Sequence, residues 1–115
     1  MSAHTSTASV PTDRAGRYAK QLSDHMGRKA DAQWDAEAGT GTIVFADGAA
    51  TARLTSAPTA LDFALEAVDA EALARFEHVL GIHLIRFGRR DELVCSWVRT
   101  DGTPGTSQSV ADLED

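Results

Sequence analysis

The sequence predicts an α+β domain in which two helices pack on one face of an antiparallel sheet of about six strands. Two segments, 12–27 and 69–88, repeat apolar residues every three to four positions, which is the spacing of one helix face. Between them lie four stretches of alternating apolar and polar residues joined by short turns. Consecutive strands with short connections form antiparallel sheets, so the predicted element order is β-α-β-β-β-β-α-β.

A strand and a helix come first. Residues 4–10 are rich in Thr, Ser and Val and precede Pro11, which favours a short strand. The segment 12–27 then predicts a helix that ends near Gly27. Its apolar face consists of Ala15, Tyr18, Ala19, Leu22 and Met26.

Four strands come after the first helix. Residues 29–35 alternate in polarity, and residues 60–67 do the same at the other end of this region. The clearest local signal is the Asp-Gly pair at 47–48, which is typical of a two-residue hairpin turn because glycine accepts positive φ. Counting outward from that turn pairs Phe45 with Ala50 and places both side chains on the apolar face.

The second helix is predicted over residues 70–88, with Asp69 as its cap because a carboxylate can accept from the free amides of the first turn. The apolar stripe of this helix consists of Leu73, Phe76, Leu80, Leu84 and Phe87.

The end of the chain contains one more predicted strand, because residues 92–98 alternate in polarity. The last residues of the chain are polar and acidic, so we expect one domain over residues 1–99 and a flexible acidic tail over 100–115.

Properties of the whole chain narrow the compartment and the partners. The 115 residues and the 43% hydrophobic content suit a single soluble domain with its own core. A formal net charge of −6 argues against binding to nucleic acid. No apolar run approaches the roughly 20 residues that span a bilayer, and the start lacks the features of a secretory signal. We therefore expect a cytoplasmic protein without a membrane partner.

Two histidines lie on the predicted buried faces of the helices. His25 is seven residues after Tyr18, and His83 is seven residues after Phe76, which is about two helical turns in each case. If the helices lie side by side, the two imidazoles could approach each other or a common cavity. Either each histidine simply finds a hydrogen-bond partner, or the two share a site for a small molecule or a metal. Two histidines alone do not supply the four ligands that zinc prefers.

Basic residues cluster where the second helix ends. Arg86, Arg89 and Arg90 either complement the helix dipole in solvent, or form a basic rim that attracts an anionic ligand. Arg28 and Lys29 after the first helix allow the same two interpretations. Trp97 and Cys95 lie on the same face of the last predicted strand, and both are expected to pack in the core. Cys95 is the single cysteine, so no internal disulfide can form.

The stretches "RYAKQLSDHMGRK", "FADG" and "HLIRFGRR" resemble a family of small bacterial proteins, the domain of unknown function family DUF2218. The resemblance covers roughly residues 6–99. It implies no established activity. Some family members are fused or adjacent to siderophore-interacting flavin reductases, which implies a context of iron acquisition and such a protein as a separate partner. The positions shared across the family match Tyr18, His25, His83, Arg86, Phe87 and Trp97 in this chain.

These observations predict a non-enzymatic domain that binds a small ligand or a partner protein, in siderophore or iron handling. The predicted ligand-binding residues are His25, His83, Arg86, Arg90, Tyr18 and Trp97. The alternative is a structural homodimer without a ligand site. It would use a modest apolar patch on the outer sheet face, formed by Val44, Ala64, Val94 and Val98. An enzyme would need a general base, and only the two helix histidines could supply one. The residues identify no catalytic group, no cofactor and no metal.

Overall fold

The computed structural model describes residues 4–113. These residues form seven strands, two helices and three short 3-10 turns. Asp69 begins the second helix as predicted, because its Oδ1 accepts from the backbone N–H of Ala72 at 2.7 Å. The elements in chain order are β1 (His4–Pro11), α1 (Ala15–Met26), β2 (Asp31–Asp35), β3 (Thr40–Phe45), β4 (Ala50–Ser56), β5 (Ala60–Ala67), α2 (Ala70–Phe87), β6 (Cys95–Arg99) and β7 (Pro104–Gln108).

The strands form one open antiparallel sheet in the order β2-β3-β4-β5-β1-β6-β7. The first strand of the chain is therefore interior, with β5 on one side and β6 on the other. Side chains alternate between the two faces of each strand, and the buried set lies on one face only. Both helices cover that face, which confirms the predicted α+β class with two helices on one side of an antiparallel sheet.

The β3–β4 hairpin has the predicted register, with Phe45 opposite Ala50. The chain reverses at Asp47 and Gly48, which have φ of 57° and 105°. Positive φ is disfavoured for most residues, and the Asp-Gly pair tolerates it best. The turn therefore places Phe45 at the rim of the core, next to the helices.

The sequence predicts about six strands and a flexible tail after residue 99, whereas the structure has a seventh strand, β7, in that segment. Gln108 of β7 is 1% exposed, and its side-chain oxygen accepts from Trp97 Nε1 at 2.9 Å. Its amide nitrogen donates to the hydroxyl of Thr106 at 3.0 Å. The strand is held by polar contacts of this kind, so it carries none of the apolar alternation by which strands are recognised.

A buried ion pair joins α2 to the last two strands. Glu77 is fully buried, and both of its oxygens accept from the Arg99 guanidinium at 3.0 and 3.1 Å. The backbone N–H and the hydroxyl of Thr106 donate to the same carboxylate at 3.1 and 2.9 Å. Burial alone would raise the pKa of Glu77, but these donors outweigh it and the pKa is lowered.

The remaining features of the core agree with the sequence. Cys95 is fully buried, and burial raises the pKa of its thiol to about 12, so the thiol stays protonated and unreactive. Trp97 packs on Phe63 with ring centroids 5.6 Å apart. Within the part of the chain that the structure describes, no helix has the length and apolar character needed to cross a membrane.

Gly81 on α2 is required by the close approach of β7. A Cβ at this position would lie 1.9 Å from the side-chain oxygen of Gln108, whose hydrogen bonds to Trp97 and Thr106 prevent it from moving freely. We expect Gly81→Ala to lower the free energy of unfolding by roughly 1–3 kcal/mol, as overpacked cores do. Gly16→Ala in α1 is the matched control. Nothing lies within 4 Å of a Cβ there, so helix propensity should make that variant equal to or more stable than wild type in urea unfolding.

The Glu77–Arg99 pair should make the stability depend on pH. Because the folded-state pKa of Glu77 lies below the ordinary value of 4.5, its stabilisation is complete above pH 4.5 and is lost as the pH falls through the folded pKa. Glu77→Gln should lower the free energy of unfolding by roughly 3 kcal/mol at neutral pH, because it removes one partner of a buried ion pair.

Urea unfolding at several pH values tests this expectation. The difference in unfolding free energy between wild type and Glu77→Gln should narrow as the pH is lowered from about 7 to about 3.5. Glu66→Gln on the exposed sheet face is the control and should show no such difference at any pH. A gap between wild type and Glu77→Gln that stays constant with pH would contradict the expectation.

Candidate ligand site

The two helices bring His25 and His83 together. Their ring centroids are 4.7 Å apart and the rings are tilted by 48°. Phe87, one turn after His83, packs edge-on against His25 with centroids 5.4 Å apart. Each histidine continues the buried stripe of its helix, and the stripes face each other over the sheet. Both imidazoles are half-buried, with their remaining surface turned towards a cleft.

A cleft of about 500 Å³ opens beside the two imidazoles. Its walls come from the end of α1, the middle turns of α2 and the rim of the β3–β4 hairpin. Its apolar lining includes Phe45 and Phe76, whose rings stack at a centroid distance of 4.6 Å and an angle of 22°. Met26 and Val79 extend this apolar surface towards the histidines.

Three cationic side chains line the same cleft. Arg28 and Lys29 follow α1 directly, and Arg75 comes from α2 with its guanidinium carbon 5.1 Å above the ring of Phe76. All three are exposed at the cleft rim. No Asp or Glu among the described residues lines the cleft, so the local charge is positive although the whole chain carries −6. Such a site attracts anions.

The protonation of His83 depends on this setting. Its pKa is lowered, first by burial and then by the positive charge that His25, Arg86, Lys29 and His78 place around it. The His83 imidazole is therefore neutral at neutral pH. A neutral imidazole offers one donor and one acceptor nitrogen, and it can also bind a metal.

The other residues predicted for the site lie elsewhere. Tyr18 is buried, and its hydroxyl donates to Asp91 just after α2, where Arg14 also approaches that carboxylate at 4.0 Å. Trp97 lies in the core and donates to Gln108. Arg86 acts on His83 through its charge without lining the cleft, and Arg90 is exposed in the turn after α2. Of the six predicted residues, the structure places only the two histidines in the cleft lining.

Most of the cleft residues were not identified from the sequence. Phe76, Val79 and His83 are spaced by three and four residues, so one helix face carries all of them, and this was a usable signal. Arg28 and Lys29 lie where they complement the dipole of the first helix or form a basic rim, and the sequence alone did not separate these two interpretations. Arg75 gave no signal, because its role depends on where the β3–β4 hairpin meets α2.

These features define a class of protein: a small α+β domain with an open antiparallel sheet and a cationic cleft between its helices and a hairpin. The chain belongs to the family described as uncharacterized proteins conserved in bacteria (DUF2218), whose sequence model matches residues 7–98. This confirms the resemblance drawn from the sequence.

A solved structure has the same fold. The chain is similar to PA4090 from Pseudomonas aeruginosa, determined by NMR, with a TM-score of 0.68 and 28% sequence identity. The match covers 83% of this chain and 95% of that one, so it includes nearly all of the other protein. No curated protein matches the chain.

Proposed function

We propose that this domain binds a small anionic ligand with an aromatic or apolar portion in the cleft beside His25 and His83, without catalysing a reaction. The observation that carries the proposal is the sign of the charge: Arg28, Lys29 and Arg75 converge on a cleft whose described lining contains no carboxylate. The chain as a whole is acidic, so this local excess of positive charge runs against its composition.

The remaining lining favours a ligand that is not purely polar. The stacked rings of Phe45 and Phe76 form a flat apolar wall, and Arg75 lies over one of them. Binding sites of this size are mostly apolar, with a few polar groups that fix the orientation of the ligand. In the proposed complex the anionic group contacts the cations at the rim, and the apolar part packs on the phenylalanines.

The iron-acquisition context implied by the family resemblance supplies one chemical candidate. A ferric catecholate siderophore is anionic and carries aromatic rings, so it matches both halves of the cleft. We propose such a complex as a ligand in a cytoplasmic protein that hands it to, or receives it from, a separate siderophore-interacting protein. In this role Arg86 tunes His83 through its charge, and Arg90 adds to the positive field outside the cleft.

A second candidate function is a structural homodimer. Val98 and Val94 are 68% and 47% exposed in and just before β6, and they contribute to a modest apolar patch on the outer sheet face. Light scattering after size-exclusion chromatography discriminates between the two. A strict monomer at high protein concentration counts against the dimer and leaves ligand binding unaffected.

Isothermal titration calorimetry tests the proposed site. We expect a ferric catecholate complex to bind, and an uncharged ferric hydroxamate complex to bind much more weakly. Lys29→Met and Arg75→Met should each weaken the binding of the catecholate complex by about 1 kcal/mol, or roughly fivefold in Kd, because each removes one partly solvated charge pair. Affinity for the anion should rise as the pH falls below 6.5 and His83 gains a proton, since protonation adds positive charge.

Arg53→Met is the matched control for these variants. Arg53 is an exposed arginine on β4, on the sheet face opposite the helices, so its replacement changes the net charge equally without touching the cleft. Its affinity for the catecholate complex should equal that of wild type. Equal losses in all three variants would mean that binding responds to any change in the net charge of the protein and does not depend on the cleft, and the proposed site would be wrong.

A further inference from the structure

We propose that the imidazoles of His25 and His83 together coordinate a metal ion that arrives as an anionic chelate with two adjacent coordination positions open. The cationic rim then holds the chelating anion while the two imidazoles complete the metal's coordination sphere. The inference rests on the proposed anion-binding function and specifies the ligand class of the same cleft. Its support is the distance between the rings, the charge of the lining and the number of donors that the protein supplies.

The spacing of the rings suits one shared ion. Metal–nitrogen bonds to histidine are about 2.0–2.1 Å long and a ring nitrogen lies about 1.1 Å from the ring centroid, so each centroid would lie about 3.2 Å from the metal. A centroid separation of 4.7 Å then corresponds to a nitrogen–metal–nitrogen angle of about 95°. That is the angle between neighbouring positions in octahedral and tetragonal coordination, the geometries of Ni²⁺ and Cu²⁺.

The charge and the donor count exclude a bare ion as the preferred ligand. Arg28, Lys29 and Arg75 line the cleft and repel a free divalent cation. Among residues 4–113 no group of three or more His, Cys, Asp or Glu side chains could hold a metal. The other donors must therefore come with the ion, and an anionic chelator supplies both the donors and the charge that the rim attracts.

Coordination by the pair is a ligand exchange at the metal, in which each imidazole binds through a ring nitrogen that carries no proton. The hairpin contributes Phe45 and Ala46, which carry no charge. On binding, two metal-bound waters leave and two imidazole nitrogens replace them, with no change in oxidation state. The charged groups that face the pair are Arg75, His78 and Arg86 from α2, and Arg28 and Lys29 from the end of α1.

Two nickel chelates separate coordination from simple anion binding. Nickel nitrilotriacetate carries one negative charge and leaves two adjacent positions open, whereas nickel ethylenediaminetetraacetate carries two and leaves none. With the untagged protein at neutral pH, we expect calorimetry to show that the nitrilotriacetate complex binds at least about tenfold more tightly. The visible absorption bands of nickel should shift at the same time, because imidazole nitrogen replaces water.

Variants assign the effect to the pair. His25→Ala and His83→Ala should each remove the preference for the open chelate, whereas His78→Ala, which removes an exposed histidine from the same helix as His83, should keep it.

The outcomes distinguish this inference from the proposed function. If the saturated complex binds as tightly as the open one and loses affinity in Arg75→Met, the anion site stands and the metal inference is wrong. If neither nickel complex binds but the ferric catecholate does, the inference is likewise overturned. If the open chelate binds equally well to wild type and to the His25→Ala/His83→Ala double variant, coordination occurs elsewhere and the pair has no metal role.

Discussion

The fully buried carboxylate of Glu77 is the constraint on which the rest of the structure depends. A charge that is buried away from solvent is tolerated only where it is paired and hydrogen-bonded. Arg99 and Thr106 must therefore lie within hydrogen-bonding distance of the Glu77 carboxylate. These bonds fix the rotation of α2 over the sheet and hold β7 against it. With Glu77 turned towards β6 and β7, the flank of the helix that carries Phe76 and His83 faces α1 and the cleft.

Much of the fold could be predicted because its signals are local. The apolar stripes of both helices, the Asp-Gly turn and the Asp69 cap each depend on residues close together in the chain, and the structure contains all of them. β7 could not be predicted in this way. Its side chains are satisfied by Glu77 and Trp97, 29 and 11 residues away in sequence, so its partners are defined only by the tertiary structure.

The candidate site was predictable in part for the same reason. The seven-residue spacings placed His25 and His83 on facing stripes, and the helices meet there. The cations of the ligand site were predicted from their closeness to His83 in the sequence, which favoured Arg86 and Arg90. Tyr18 near the start of α1 contacts Asp91 beyond the end of α2, whereas His25 near the end of α1 contacts His83 within α2. The end of α1 therefore meets the middle turns of α2, and Arg75 faces the cleft instead.

The interior position of β1 has a consequence for how the chain reaches this state. The strands β2 to β5 form one continuous meander and β6 with β7 forms a hairpin, and β1 alone joins the two groups. Within this sheet β1 is synthesised before the other strands, and both of its edges are paired only after β6 has been made. During synthesis its open edge is a hazard for pairing with other chains, since unpaired strand edges promote aggregation. A Thr- and Ser-rich strand with little apolar surface is well suited to that delay.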